Sequence, residues 1–328
     1  MKKAIVFILC VVLLAALVAS AYFFTQKTEE VPIENAGAAV NAVVAKESLT
    51  YKGTEYPMKD HIESVLLIGT DSTEQYQEDP DNLLDYYNFN QADFLMLMVF
   101  DTDANTAEII QLNRDTMTDV PWLDVLGNYG GTEFKQLCLA YNYGDGGAKS
   151  CKNTVDAVSS LLFDAPIDKY IQIPMSSIGT LNDLVGGVPV TIPQDLTMVD
   201  PAFIQGETVL LKGNQAEKFV RARTILENDT NVARMERQRI YMDSFQKQAK
   251  EAVNSDSEFT MKLLEKLSDF LQSDMTAQQM SDMIQRLDKA TILPIRYPDG
   301  ELILGEEYYE FYVDEDSLWE IVRNAYCQ

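Results

Sequence analysis

The pattern of hydrophobic and polar positions divides the chain into an N-terminal apolar segment and a globular part. Residues 4–24 (AIVFILCVVLLAALVASAYFF) carry no charge and follow Met1-Lys2-Lys3. At about 1.5 Å per residue, a helix of this length crosses a hydrocarbon core of about 30 Å. The two lysines before it predict that residues 1–3 are cytoplasmic and that the rest of the chain is extracytoplasmic.

A cleavable signal peptide is the alternative interpretation, because Ala19-Ser20-Ala21 resembles a signal peptidase site. The apolar run continues past that site and is longer than a usual signal-peptide core, which favours an uncleaved membrane anchor. Either interpretation places residues 25–328 outside the cytoplasm. Residues 25–60 are polar and Ala-rich without strong periodicity, and they predict a stalk that leads to a domain over residues 61–328.

Short apolar runs alternate with segments of helical spacing through this domain. Residues 64–69 (SVLLIG) predict a buried strand, and residues 94–100 and 107–112 predict a hairpin around a turn-forming cluster. The alternation predicts an α/β fold in one domain, with helices that cover a central sheet. Further strands are predicted at 170–173, 188–192 and 290–295, and helices at 149–163, 178–185, 215–221, 231–253, 258–272, 276–289 and 314–325.

Composition adds a core and a strong negative charge. The chain is 46% hydrophobic, and its 51 Asp+Glu against 26 Lys+Arg give a formal charge of -25, which argues against a nucleic-acid partner. Five of the nine arginines nevertheless lie within residues 221–239. One planar guanidinium group can bind two oxygens of a phosphate or carboxylate at once, so this cluster predicts a local anion site. A surface helix whose arginines pair with nearby acids is the alternative.

Cysteine and histidine offer little for catalysis. His61 is the only histidine, and no cysteine spacing suggests a zinc site. Cys138 and Cys151 stand on opposite sides of a Gly-rich loop, where either a disulfide or two buried free thiols would fit. The chemistry is therefore expected to depend on carboxylates, arginines and a metal ion.

Charged residues lie at the ends of the predicted strands. Asp71 follows the strand at 64–69, Asp93 precedes the next strand, and Arg114-Asp115 follow the third. Carboxylates in such positions suit Mg²⁺ or Mn²⁺, although solvated loop acids are the commoner outcome. If these strand ends meet the arginine cluster at one rim of the sheet, the rim would hold a metal-bound pyrophosphate.

Six motifs follow one another along the chain: SVLLIGTDS (64–72), NRDT (113–116), AYNYG (140–144), LVGGVPV (184–190), LKGNQAEKFVRAR (211–223) and RMERQR (234–239). In this order they resemble the motifs of the LytR-CpsA-Psr family, most strongly over residues 60–250. The resemblance implies a single-pass membrane protein of Gram-positive bacteria, with an α/β/α sandwich around a central mixed sheet and a hydrophobic channel for a lipid tail. Typical members are phosphotransferases that move an anionic glycopolymer from a polyprenyl-pyrophosphate carrier onto peptidoglycan, with a divalent metal on the pyrophosphate.

The resemblance also implies site residues by position. Asp71 and Asp93 match the aspartates that bind Mg²⁺ or Mn²⁺. Asp115 matches the acid beside the motif arginine, and it is the candidate for activating the acceptor hydroxyl or orienting an arginine. The residues that match pyrophosphate-binding positions are Arg114, Arg221, Arg223, Arg234 and Gln238.

Departures from the family pattern leave the activity open. Gln91-Ala92-Asp93 stands where the family has Arg-Ser-Asp, Asn113 stands where it has Pro, and Asn231 replaces an acid. Loss of one phosphate-binding arginine removes a contact worth roughly 1.5–3 kcal/mol. The alternatives to a transferase acting on peptidoglycan or another envelope acceptor are a polyprenyl-pyrophosphate hydrolase and a non-catalytic protein that binds the lipid carrier or organises the wall. The acidic aromatic segment 306–316 (EEYYEFYVDED) is expected to be packing and solvated surface, with a partner site as the alternative.

Overall fold

The computed structural model describes residues 47–71, 90–124, 128–222, 231–255, 259, 262, 266, 270–305 and 308–328. The predicted membrane segment 4–24, Arg223 and most of the helix expected at 258–272 lie outside these residues. Among the residues that are described, no helix is both long and apolar enough to cross a membrane.

A mixed six-stranded sheet forms the centre of the domain, as predicted. The strands, in their order across the sheet, are β11 (Gln272–Ser273), β8 (Lys169–Pro174), β3 (Ile62–Thr70), β4 (Ala92–Asp101), β5 (Thr106–Leu112) and β12 (Thr291–Ile292). β4 is antiparallel to both β3 and β5, and β11 is antiparallel to β8. β8 runs parallel to β3, and β12 runs parallel to β5.

Helices cover both faces of this sheet because its strands are apolar on both sides. The helices of the described residues are α1 (Ala148–Leu161), α2 (Ser177–Leu184), α3 (Asn214–Arg221), α4 (Asn231–Ser255), α5 (Ala277–Lys289) and α6 (Glu315–Tyr326). Leu66 and Ile68 of β3 pack in one core with α1 and α6, while the alternate residues Val65 and Leu67 pack in another core with α5. The predicted α/β/α sandwich is therefore confirmed.

The described residues also form four antiparallel hairpins outside the central sheet, and the first of them lies within the predicted stalk. Leu49 is completely buried, and Tyr51 stacks on Trp319 of α6 with a ring-centroid distance of 4.7 Å. The folded domain therefore already includes Ser48 rather than beginning at residue 61. The hairpins are β1 (Ser48–Tyr51) with β2 (Thr54–Pro57), β6 (Met117–Leu123) with β7 (Tyr129–Gln136), β9 (Val188–Thr191) with β10 (Thr208–Leu211), and β13 (Gly300–Leu304) with β14 (Tyr309–Val313).

The cysteine alternatives are resolved in favour of free thiols. Cys138 and Cys151 are both buried and unbridged, and so is Cys327. Burial raises the pKa of the Cys138 thiol, so this side chain remains protonated and neutral.

Candidate functional site

The strand directions bring three of the predicted site residues to one edge of the sheet. Because β4 is antiparallel to both neighbours, its first residues lie beside the last residues of β3 and β5. Asp71 directly follows β3, Asp93 is the second residue of β4, and Arg114 follows β5 by two residues. The rim predicted from the sequence is therefore present.

Arg114 is the buried centre of this rim. Its Nη1 forms an ion pair with Asp93 Oδ1, and both side chains are almost completely excluded from solvent. Its Nη2 donates to Gln91 Oε1 and, at 2.9 Å, to Cys138 Sγ, while Nε lies 3.3 Å from Asp115 Oδ1. The terminal nitrogens of this buried guanidinium therefore meet acceptors, whereas Nε is close to the Asp115 carboxylate without a hydrogen bond.

Gln91 connects Arg114 to the first aspartate. The backbone N–H of Asp71 donates to the carbonyl of Gln91 at 3.1 Å, and the N–H of Gln91 donates to Asp71 Oδ1 at 2.5 Å. The Gln91 side chain then accepts from Arg114. Gln91, where the resemblance implies an arginine, is thus part of the hydrogen-bond network of the rim.

Two arginines of the 221–239 cluster complete the site. Arg234, in the first turns of α4, is buried with Nη1 3.7 Å from Asp93 Oδ2. Arg221, the last residue of α3, lies with Nη2 4.0 Å from Asp71 Oδ2, and Glu217 Oε1 accepts from its Nη1 at 2.8 Å. The Arg221 side chain is 34% exposed, so it is the arginine of this group that solvent reaches.

The other two described arginines of the cluster do not face the rim. Arg237 is fully buried, and its Nη2 donates to the carbonyl of Ala222, where it ties the end of α3 to α4. Arg239 is half-exposed and pairs with Glu236 at 2.6 Å, which is the ordinary surface pairing. The described arginines of the cluster therefore divide between two at the rim and two with structural contacts, and Arg223 lies outside the described residues.

Gln238 lies one helical turn beyond Arg234 and lines an apolar cavity between the sheet and α2, α3 and α4. The cavity holds about 900 Å³ of empty space, part of it open to solvent. Its walls are mainly aliphatic and aromatic, including Ile173, Ile178 and Phe245. Gln238 Nε2 is buried and has no acceptor among the described residues, so an oxygen of a bound ligand would satisfy it.

The two aspartates fit a hard cation only in combination with a ligand. Within the described residues, no group of three or more Asp, Glu, His or Cys side chains is placed to hold a metal ion. Mg²⁺ commonly takes one or two carboxylates and fills its other positions with water and substrate phosphate oxygens. Asp71 and Asp93 supply carboxylate oxygens of that kind, and each carboxylate also lies near an arginine.

Asp115 is held in place at the outer side of Arg114. Its backbone N–H donates to Asn113 Oδ1 at 3.0 Å, and its Oδ1 is 3.3 Å from Gln136 Nε2. Sequence reasoning did not find Gln136, Cys138 or Glu217. Only Glu217 had a sequence signal, since it lies four residues before Arg221 on one helix.

Comparison with known proteins finds relatives over most of the chain. The profile of the LytR_cpsA_psr family matches residues 25–325, a wider range than the motifs cover. A Bacillus licheniformis protein named polyisoprenyl-teichoic acid–peptidoglycan teichoic acid transferase TagU is 26% identical over 263 residues, which are 79% of this chain and 75% of that protein.

Solved structures share the fold. A Streptococcus agalactiae protein superposes with a TM-score of 0.60 at 19% identity, covering 80% of this chain and 87% of its own. The structure of TagT bound to LIIa-WTA superposes with a TM-score of 0.57 at 19% identity, covering 81% of this chain and 90% of TagT. At this level of identity the two structures establish a common architecture.

Proposed function

The chain belongs to the LytR_cpsA_psr family, and from this premise we propose that it is a membrane-anchored, extracytoplasmic phosphotransferase. It would move a glycopolymer from a polyprenyl-pyrophosphate carrier to peptidoglycan or another envelope acceptor. The observation that carries the proposal is that an apolar cavity begins beside the buried arginine site, since its lining residue Phe94 directly follows Asp93 in β4. An anionic group attached to a long apolar chain fits both parts at once.

The arginines would bind the pyrophosphate and stabilise charge that develops during transfer. Arg114 and Arg234 are shielded from water, where guanidinium contacts to phosphate are stronger than at the surface. Arg221, and Arg223 by its position in the motif, would bind from the solvent side. Mg²⁺ or Mn²⁺ held by Asp71 and Asp93 would neutralise further phosphate charge.

The transfer itself is a substitution at the phosphorus that carries the glycan. The acceptor hydroxyl oxygen forms a bond to this phosphorus, the bond to the bridging oxygen breaks, and polyprenyl phosphate leaves. The hydroxyl proton would pass to the Asp115 carboxylate, to which Gln136 donates while Asn113 accepts from the Asp115 backbone N–H. Arg114 beside Asp115 keeps the carboxylate oriented.

Replacing Arg221 by alanine tests the proposed function. We expect the full chain, given a polyprenyl-pyrophosphate-linked glycan with Mg²⁺ or Mn²⁺, to lose about ten- to a hundredfold in carrier affinity, because a charge-assisted phosphate contact is removed. Arg286→Ala, an exposed arginine on α5 paired with Glu63, is the matched control and should change nothing. Isothermal calorimetry gives the affinities.

Product analysis in the same experiment separates the alternatives. Glycan attached to peptidoglycan identifies a transferase, and glycan phosphate released into water identifies a hydrolase. Tight binding without either product identifies a non-catalytic carrier-binding protein. If the wild-type chain does not bind the carrier at all, the proposed function is wrong.

Filling the apolar cavity should weaken binding of the lipid tail specifically. Ile178 is half-buried in the cavity wall, and tryptophan there would displace part of a bound chain. We expect Ile178→Trp to weaken binding of a long-chain carrier about tenfold, since about 60 Å² of apolar contact is lost. A short-chain pyrophosphate should bind as before. Ile204→Trp, at a residue that is 52% exposed, is the control, and equal losses for both ligands would exclude the cavity as the tail site.

A further inference from the structure

One face of the β6–β7 hairpin carries two exposed side chains, Asp119 and Phe134, that the proposed reaction does not use. Phe134 of β7 is 58% exposed and lies opposite Asp119 of β6 in the antiparallel register, so both project from the same face. Gln136, two residues along β7, shares that face. Tyr312 of β14 is 38% exposed, with its ring centroid 6.5 Å from that of Phe134. We name Asp119, Phe134, Gln136 and Tyr312 the aromatic strip.

The aromatic strip leads directly to Asp115. Gln136 Nε2 lies 3.3 Å from Asp115 Oδ1 and donates at 2.8 Å to the carbonyl of Tyr309. The N–H of Phe311 donates to the backbone carbonyl of Asp115 at 2.9 Å. Strand β14 and the end of β7 are thus both hydrogen-bonded to Asp115, the residue proposed to activate the acceptor hydroxyl. A ligand on the strip would have one end at Asp115.

We propose that the aromatic strip binds an uncharged glycan strand and delivers one of its hydroxyls to Asp115. The inference rests on the proposed function, for which it names the acceptor surface. Sugar rings present C–H groups that pack on the electron-rich faces of aromatic rings. Sugar hydroxyl and acetamido N–H groups donate to carboxylates such as Asp119, and amide side chains such as Gln136 exchange hydrogen bonds with them.

The charges of the strip favour a neutral glycan over an anionic occupant. Asp119 lies opposite Phe134, and Tyr312 Oη donates to Glu310 Oε2 at 2.7 Å, so both aromatic rings stand beside an acid. Lys135 alternates to the opposite face of β7, where it pairs with Glu133 and donates to Tyr143 Oη at 2.8 Å. A polyanionic wall polymer or an anionic membrane surface would meet repulsion here.

The test is a titration of the full chain with an uncharged N-acetylglucosamine hexamer, in which isothermal calorimetry measures the affinity. We expect the double variant Phe134→Ala, Tyr312→Ala to bind the hexamer at least about tenfold more weakly, because both stacking faces are removed. Phe134→Tyr keeps the ring and should bind normally, which guards against a folding defect. Tyr129→Ala is the matched control, since Tyr129 is 68% exposed at the far end of the same strand.

Parallel titrations distinguish this inference from the proposed function. Affinity for the carrier is measured on the same variants, and it should not change. If the wild-type chain binds the carrier but not the hexamer, or if the double variant binds the hexamer as tightly as wild type, the glycan surface is overturned and the carrier site stands. If the hexamer binds through the strip and the carrier does not bind, the proposed function fails instead. Strip-dependent binding to phosphatidylglycerol vesicles or to poly(glycerol phosphate), without hexamer binding, would also overturn the inference.

Discussion

Replacing Arg114 by alanine is expected to lower glycopolymer transfer by about a thousandfold or more and to destabilise the domain as well. Arg114 contacts Asp93, Gln91, Cys138 and Asp115 through its three guanidinium nitrogens. Arginines that stabilise the charge of phosphoryl transfer contribute about 10³–10⁵ in rate in other enzymes. Removal also leaves the buried Asp93 carboxylate with Arg234 at 3.7 Å, and breaking a buried pair costs about 3–5 kcal/mol.

The two effects of the Arg114 substitution are separable. Urea unfolding reports stability, and single-turnover transfer by the folded protein reports catalysis. Arg114→Lys retains a positive charge for Asp93 but loses the planar fork, so it should recover much of the stability and little of the rate. Arg239→Ala, an exposed arginine on α4, is the control for a general charge effect. If the Arg114→Ala variant folds and transfers the glycopolymer normally, Arg114 has no role in catalysis.

The rim of the sheet could be predicted from the sequence because local patterns determine it. Apolar runs define β3, β4 and β5, and a short turn makes β4 and β5 antiparallel neighbours. Strand direction then brings Asp93 and Arg114 to the same edge. The arginine cluster was also visible, but its helix spacing did not reveal that Arg237 is bound to the carbonyl of Ala222. That contact depends on how α3 packs against α4. The sequence between the two helices has no hydrophobic periodicity from which this packing could be predicted.

The hairpins and the neutral partners of Arg114 could not be predicted in the same way. Four-residue strands such as β1 and β2 provide only two inward positions each, too few for a period to stand out. Cys138 reaches Arg114 because the segment after β7 turns into the core, which is a long-range contact. The same holds for Phe134 and Tyr312, which are 178 residues apart in a sequence that gives no sign of their proximity.

Replacing Gln91 by arginine, the residue that the resemblance implies at this position, is expected to lower transfer about ten- to a hundredfold rather than raise it. Gln91 Oε1 accepts a hydrogen bond from Arg114 Nη2, so an arginine at this position would place two guanidinium groups against each other. The N–H of Gln91 also holds Asp71 Oδ1 at 2.5 Å, and movement of the backbone to relieve the repulsion would disturb that carboxylate.

Two further substitutions at this position identify what the side chain does. Gln91→Met keeps the size without the acceptor, and it should lower the rate about tenfold because a buried donor of Arg114 loses one of its partners. Gln91→Glu keeps the acceptor, so the Arg114 contact should survive, while the added negative charge should weaken binding of the pyrophosphate. Steady-state kinetics should therefore separate a change in kcat for the Met variant from a change in KM for the Glu variant. If Gln91→Arg is more active than wild type, glutamine has replaced a phosphate-binding arginine and the chain is a weakened enzyme. If Gln91→Arg is less active, the site is built around a neutral partner for Arg114.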